Sequence, residues 1–142
     1  MLELNSAGGI VFNPANEVLL IQNARSEWVF PKDVIAGSRS ARQTALSAVE
    51  EECGLKCDIL GAAGQSAYEH FSLSRMRPVQ DRIIWYVLKT DDSMIRLDAR
   101  HNHRSAAFYP REDALERVTY SLDKSMLMLA YQVCSDDPDE LA

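Results

Sequence analysis

The stretch VQDRIIWYVLKT, residues 79 to 90, constrains the fold more than any other part of the chain. Its centre is almost wholly apolar, whereas a strand with one wet face alternates apolar and polar side chains. It reads as a strand covered on both faces. A chain with such a strand must supply layers for both sides of a sheet.

The remaining segments supply them. AGGIVF (7–12) and EVLLIQNA (17–24) are β-branched, apolar runs split by NPAN, whose Pro and Asn set a turn, so the two form a hairpin. WVFPKD (28–33) reads as a short strand stopped by Pro31, a strand-like run covers 58–71, and SAAFYP (105–110) is a last short strand. Ser40 opens a helix: Gln43 lies three residues on, as a capping box requires, and Gly54 supplies the stop. Ala41, Ala45, Val49 and Cys53 recur every fourth residue and give that helix one small-residue face for packing on a sheet. REDALERV (111–118) and SLDKSMLMLAYQVC (121–134) read as helices with polar or acidic first turns. The expectation is one mixed α/β (α+β) domain over residues 1–135, with a frayed, acidic tail over 136–142.

Charge and composition narrow the function classes. A formal net charge of −6 with no basic block argues against nucleic acid as a partner. No apolar run approaches the ~18 residues of a membrane span, and MLELNSAGG lacks the basic start of a signal peptide. Cys53, Cys57 and Cys134 make an odd count, which suggests reduced thiols in a cytoplasmic protein; CGLKC has the wrong spacing for a zinc site.

SAVEEECGL (47–55) carries three consecutive glutamates at the end of the predicted helix. Position 48 and Glu51 and Glu52 share one helical face, at i, i+3 and i+4. Carboxylates so placed suit Mg²⁺ or Mn²⁺, which prefer oxygen ligands and reach phosphates through shared coordination. The charge pattern alone favours a solvated surface.

The wider context adds a resemblance. WVFPKDVIAGSRSARQTALSAVEEECGL (28–55) resembles the Nudix box with its lead-in, and SAGGIVF resembles the family's first strand. PREDALERVTYSLDKSMLMLA looks like the C-terminal helices of the dinucleoside polyphosphate hydrolase branch. The family pattern is G-x5-E-x7-R-E-U-x-E-E-x-G-U, with U a bulky aliphatic. The resemblance implies a mixed sheet between helices, with the box as loop–helix–loop. It implies hydrolysis of a nucleoside diphosphate linked to another group, with Mg²⁺ or Mn²⁺ as cofactor. Glu51 and Glu52 become metal ligands and catalytic groups. Lys32 becomes a substrate contact at the mouth of the site, and a small nucleotide or polyphosphate becomes the partner; Arg82 is a substrate-contact candidate by its charge alone.

Against that pattern the box is damaged. Val49, Glu51, Glu52, Gly54 and Leu55 match, but Asp33 replaces the opening Gly and Arg39 the first Glu. Ser47 replaces the Arg that holds the glutamates, and Ala48 replaces a principal metal-ligating Glu. Outer-shell losses around metals already cost roughly 10–100-fold, so losing a ligand and its orienting Arg predicts a larger penalty. Two readings follow: a hydrolase of reduced activity, or an inactive module that binds nucleotide, phosphate or a protein. His101 and His103 are candidate replacements for the lost acids, with zinc-like preference. HNHRS (101–105) reads as a polar loop, however, and the expectation is that it lies away from the glutamates. Arg75 and Arg77 are further phosphate candidates, and Tyr68, Phe71 and Tyr120 are candidate base platforms.

Overall fold

The computed structural model describes residues 1–135; the predicted tail lies outside them. The chain runs β1 (Leu2–Phe12), β2 (Val18–Gln22), β3 (Trp28–Val29), β4 (Lys32–Val34), α1 (Ala41–Cys53), β5 (Asp58–Ser72) and β6 (Arg77–Lys89). A 3₁₀ turn (Ala99–His101), β7 (Ser105–Tyr109), α2 (Arg111–Arg117) and α3 (Ser121–Ser135) complete it. All seven strands form one sheet in the order β3-β2-β1-β6-β5, with β4 also pairing β1 and β7 pairing β2.

The apolar run is the middle of β6. It pairs in parallel with β1 and antiparallel with β5, so both of its edges are hydrogen-bonded. Because side chains alternate along a strand, Ile83, Trp85 and Val87 enter one core cluster and Tyr86 and Leu88 the other. The first cluster is closed by Ala114 and Val118 from α2 and its C-cap and by Met126, Leu127 and Ala130 from α3. Ala45, Val49 and Cys53 of α1, all fully buried, close the second. The predicted small-residue face of α1 is the one that packs.

Local chemistry sets the ends of α1 as read. Ser40 Oγ accepts from the Gln43 backbone N–H at 3.1 Å, and Gln43 Oε1 accepts from the Ser40 N–H at 2.9 Å. Gly54 ends the helix in the left-handed region, φ 71°, where a Cβ would be strained.

Two boundaries differ from the sequence reading. β1 starts at Leu2 rather than near Ala7, because its ladder with β6 continues to Leu2↔Val79 and recruits the polar alternating start of the chain. Pro31 does not merely end a strand. Lacking an N–H, it divides WVFPKD into β3, which pairs β2, and β4, which pairs β1. That crossing pairs Lys32 with Gly8 of β1. It also brings the Pro31 carbonyl onto Gly8, where a Cβ would lie 2.7 Å from that oxygen and 2.3 Å from the Trp85 ring.

Candidate functional site

A cavity of about 790 Å³ opens beside the first core cluster. Its floor is Phe30, Ile83 and Trp85, and one wall is Ser66, Tyr68 and His70 of β5. The rim is formed by the β2–β3 turn, by Tyr120 to Asp123 at the start of α3, and by His101 to His103. The turn is fixed by its own side chain: Asn23 Oδ1 accepts from the Arg25 and Glu27 N–H groups, and its amide donates to Glu27 Oε1. Tyr120 then donates to Glu27 Oε2 and joins the turn to α3. This bond holds the Glu27 carboxyl below its usual range and pushes the Tyr120 phenol up to about 12.

Lys32 lines the cavity, and its ammonium is held in place. Nζ lies 3.4 Å from Asp81 Oδ2 and 5.7 Å from the centre of the Tyr68 ring. Tyr68 donates to the same Oδ2 at 3.4 Å, and Ser6 donates to Oδ1 at 2.7 Å. Burial pulls the lysine pKa down, but Tyr68 and Asp81 more than offset it, leaving it above its ordinary value. Asp81, only 3% exposed, organises this cluster. Sequence reasoning missed it, although alternation along β6 fixes its face once that of Trp85 is known.

Asp123 was also missed. It lines the cavity from the first turn of α3, and burial pushes its carboxyl up to about 6 against the pull of Lys32. Tyr68 and Tyr120 line the cavity; Phe71 is among neither its floor nor its walls. Arg82 is a correction: it is exposed on the other face of β6, 4.0 Å from Glu3, because its neighbour Asp81 points inward. Arg75 and Arg77 sit at the exposed β5–β6 end, also outside the cavity lining.

The glutamate face is divided. Glu51 is exposed, whereas the Glu52 side chain is 9% exposed. Ala48 is buried, with a methyl where a carboxylate ligand would be needed. The expected remote position of the histidines is overturned for His103, whose Nε2 lies 2.7 Å from Glu52 Oε1. His101 stacks on the His103 ring, with centroids 6.0 Å apart and planes at 12°. The reason is backbone stitching: Arg96 donates to the Cys53 carbonyl at 2.8 Å and Asp98 to the Glu52 carbonyl at 3.3 Å. The residues just before the segment read as a polar loop, 101–105, are thereby tied to the end of α1. Burial pushes the Glu52 carboxyl up to about 7, His101 and Lys32 pull it down, and Asp33 adds to the rise. Burial also pulls His103 below its ordinary value. The Cys53 and Cys57 thiols, pushed up to about 12 chiefly by burial, are poor nucleophiles, in line with idle thiols.

With this geometry in hand, a family model described as the NUDIX domain matches residues 3–129. The chain belongs to the NUDIX domain family. Solved structures with the same fold include a Caenorhabditis elegans Ap4A hydrolase in a binary complex. It is 18% identical with a TM-score of 0.70, over 94% of this chain and 99% of that one. The MutT protein of Methanosarcina mazei Go1 gives 16% identity and a TM-score of 0.71, covering 92% and 95%. The dihydroneopterin triphosphate pyrophosphohydrolase of Escherichia coli gives 15% identity and 0.71, covering 93% and 99%.

NUDIX domains generally work with divalent cations. The residues of this NUDIX domain do not fit one in the family's place. Ala48 offers no donor, Glu51 stands in solvent, and Glu52 is buried with Oε1 against the His103 imidazole. Among the described residues no group of three or more His, Cys, Asp or Glu side chains is placed to hold a metal ion.

Proposed function

We propose that this NUDIX domain binds a nucleoside phosphate in the 790 Å³ cleft and hydrolyses phosphoanhydrides far more slowly than members with a complete box. The observation that carries the reading is the Lys32–Tyr68–Asp81 wall. A fixed ammonium stands beside an aromatic face inside a cavity floored by Trp85 and Phe30. Cation and platform at that spacing match a phosphate and a base of one small ligand. The Ap4A hydrolase and dihydroneopterin triphosphate pyrophosphohydrolase structures share the fold and support a phosphorylated nucleoside-like ligand.

Reduced turnover follows from the donor set. Water attack on a phosphoanhydride needs charge neutralisation and an activated nucleophile, and neither Ala48 nor an imidazole-bound Glu52 supplies what a carboxylate pair would. Equilibrium titration with ADP, ADP-ribose and diadenosine tetraphosphate tests the reading. ADP should bind saturably, and Tyr68→Ala should weaken ADP by roughly tenfold, the worth of one stacked base, and inorganic pyrophosphate by less. Absence of saturable binding by any of the three sinks the nucleotide reading. Brisk Mg²⁺-dependent hydrolysis by the unaltered protein sinks the reduced turnover.

A further inference from the structure

The mismatch between the box and its expected cation has a specific structural form. Glu52 carries two carboxylate oxygens in a nearly dry place: Oε1 is taken by His103 Nε2, and Oε2 is buried with no hydrogen-bond partner. His103 Nδ1 is likewise buried and unpartnered. The pair is held in place by the backbone around it. Asp98 Oδ1 caps the 3₁₀ turn through the Arg100 N–H at 2.9 Å, and Asn102 closes it in the left-handed region at φ 56°. The Arg96 and Asp98 N–H groups bind the last carbonyls of α1, and the Arg104 N–H binds the Gln22 carbonyl at 2.8 Å. The imidazole is therefore anchored on both sides of its own residue, to the helix that bears Glu52 and to β2.

We propose that His103 is a built-in plug, occupying the ligand position of Glu52 so that the cleft takes a nucleoside diphosphate without a divalent cation. The anion's charge is met instead by Lys32 within the cavity and Arg25 at its rim. Hard dications require several oxygen donors and accept imidazole poorly. Seating one here means breaking the 2.7 Å contact, and Ala48 provides no carboxylate to compensate. The inference rests on the nucleotide reading for its ligand, but the plug itself does not.

Two measurements separate them. In the unaltered protein, ADP is titrated calorimetrically in EDTA and again in excess Mg²⁺, and the two dissociation constants should agree within about threefold. Mn²⁺ uptake is then followed by electron paramagnetic resonance in the unaltered protein, His103→Ala and His103→Gln. His103→Ala should bind Mn²⁺ at least about tenfold more tightly. His103→Gln, which keeps a donor toward Glu52, should stay with the parent. ADP binding that needs Mg²⁺ overturns metal-free binding. Equal Mn²⁺ affinity in the parent and in folded His103→Ala overturns the plug. If ADP binds under neither condition the nucleotide reading falls, while the Mn²⁺ comparison still decides the plug. Should His103→Ala fail to fold, the Mg²⁺ comparison on the unaltered protein still decides metal independence.

Discussion

Two buried carboxylates lie behind residues that line the cleft, Asp81 behind Lys32 and Tyr68 and Glu52 behind His103, and their surroundings could hardly differ more. Asp81 is met by a hydroxyl, an ammonium and a phenol, which between them engage both of its oxygens. Glu52 has one imidazole on Oε1 and no side-chain partner on Oε2. A satisfied network in a low-dielectric setting rigidifies the groups within it, whereas a partly satisfied one is held by its scaffold. The Asp81 side of the cleft is thus preorganised for a ligand. The Glu52 side has no such network.

The widest separation between the two should appear in stability. Asp81→Asn leaves Lys32 without its counter-charge and should cost about 2–3 kcal/mol, discounted because Lys32 is partly exposed. Glu52→Gln keeps a polar partner for His103 while removing a carboxylate that burial disfavours, and should cost under about 1 kcal/mol. Urea denaturation of both variants checks this, and equal losses break the comparison.

A smaller effect comes from refitting the weaker side. Ser47→Arg with Ala48→Glu returns a carboxylate at i relative to Glu51 and Glu52, and both new residues are good helix formers. Metal affinity and phosphoanhydride hydrolysis should rise together by roughly 10–100-fold. Recovery stays partial because His103 still holds Glu52 and Arg39 stands where the family carries Glu. Metal binding gained without any hydrolysis would mean that the pocket itself serves another end.

The smallest effect sharpens the comparison through pH. Asp123 has a folded-state pKa of about 6 against an ordinary 3.8. A carboxyl raised in the folded state stabilises below its unfolded value, and that contribution is lost as pH rises through the folded one. Between about pH 4 and pH 6 the parent should therefore lose about 1–2 kcal/mol relative to Asp123→Asn. Chemical denaturation of the two proteins across that range measures the difference, and parallel curves refute it.

What the sequence disclosed was local. The capping box, the four-residue repeat of α1 and the apolar core of β6 each depend on neighbours within a dozen residues, and each appears where the pattern put it. The site depends on pairs far apart: Ser6 with Asp81 across 75 positions and Glu52 with His103 across 51. No spacing rule connects them. Arg82 lies on the opposite face of β6 from Asp81, a placement that follows by alternation only once the face of Trp85 is known. His103 was misjudged because polar loops normally run free, whereas the residues just before this one are hydrogen-bonded to the end of α1.

Trp85 and Trp28 are the two indoles of the chain. Trp85 donates from Nε1 to Ser66 Oγ at 2.9 Å and meets Phe30 edge-on, inside the cleft. Trp28 lies instead under the Arg117 guanidinium and against Tyr109, outside the cavity lining. A ligand in the cleft would therefore alter the surroundings of one indole, Trp85, and leave those of the other, Trp28, as they are.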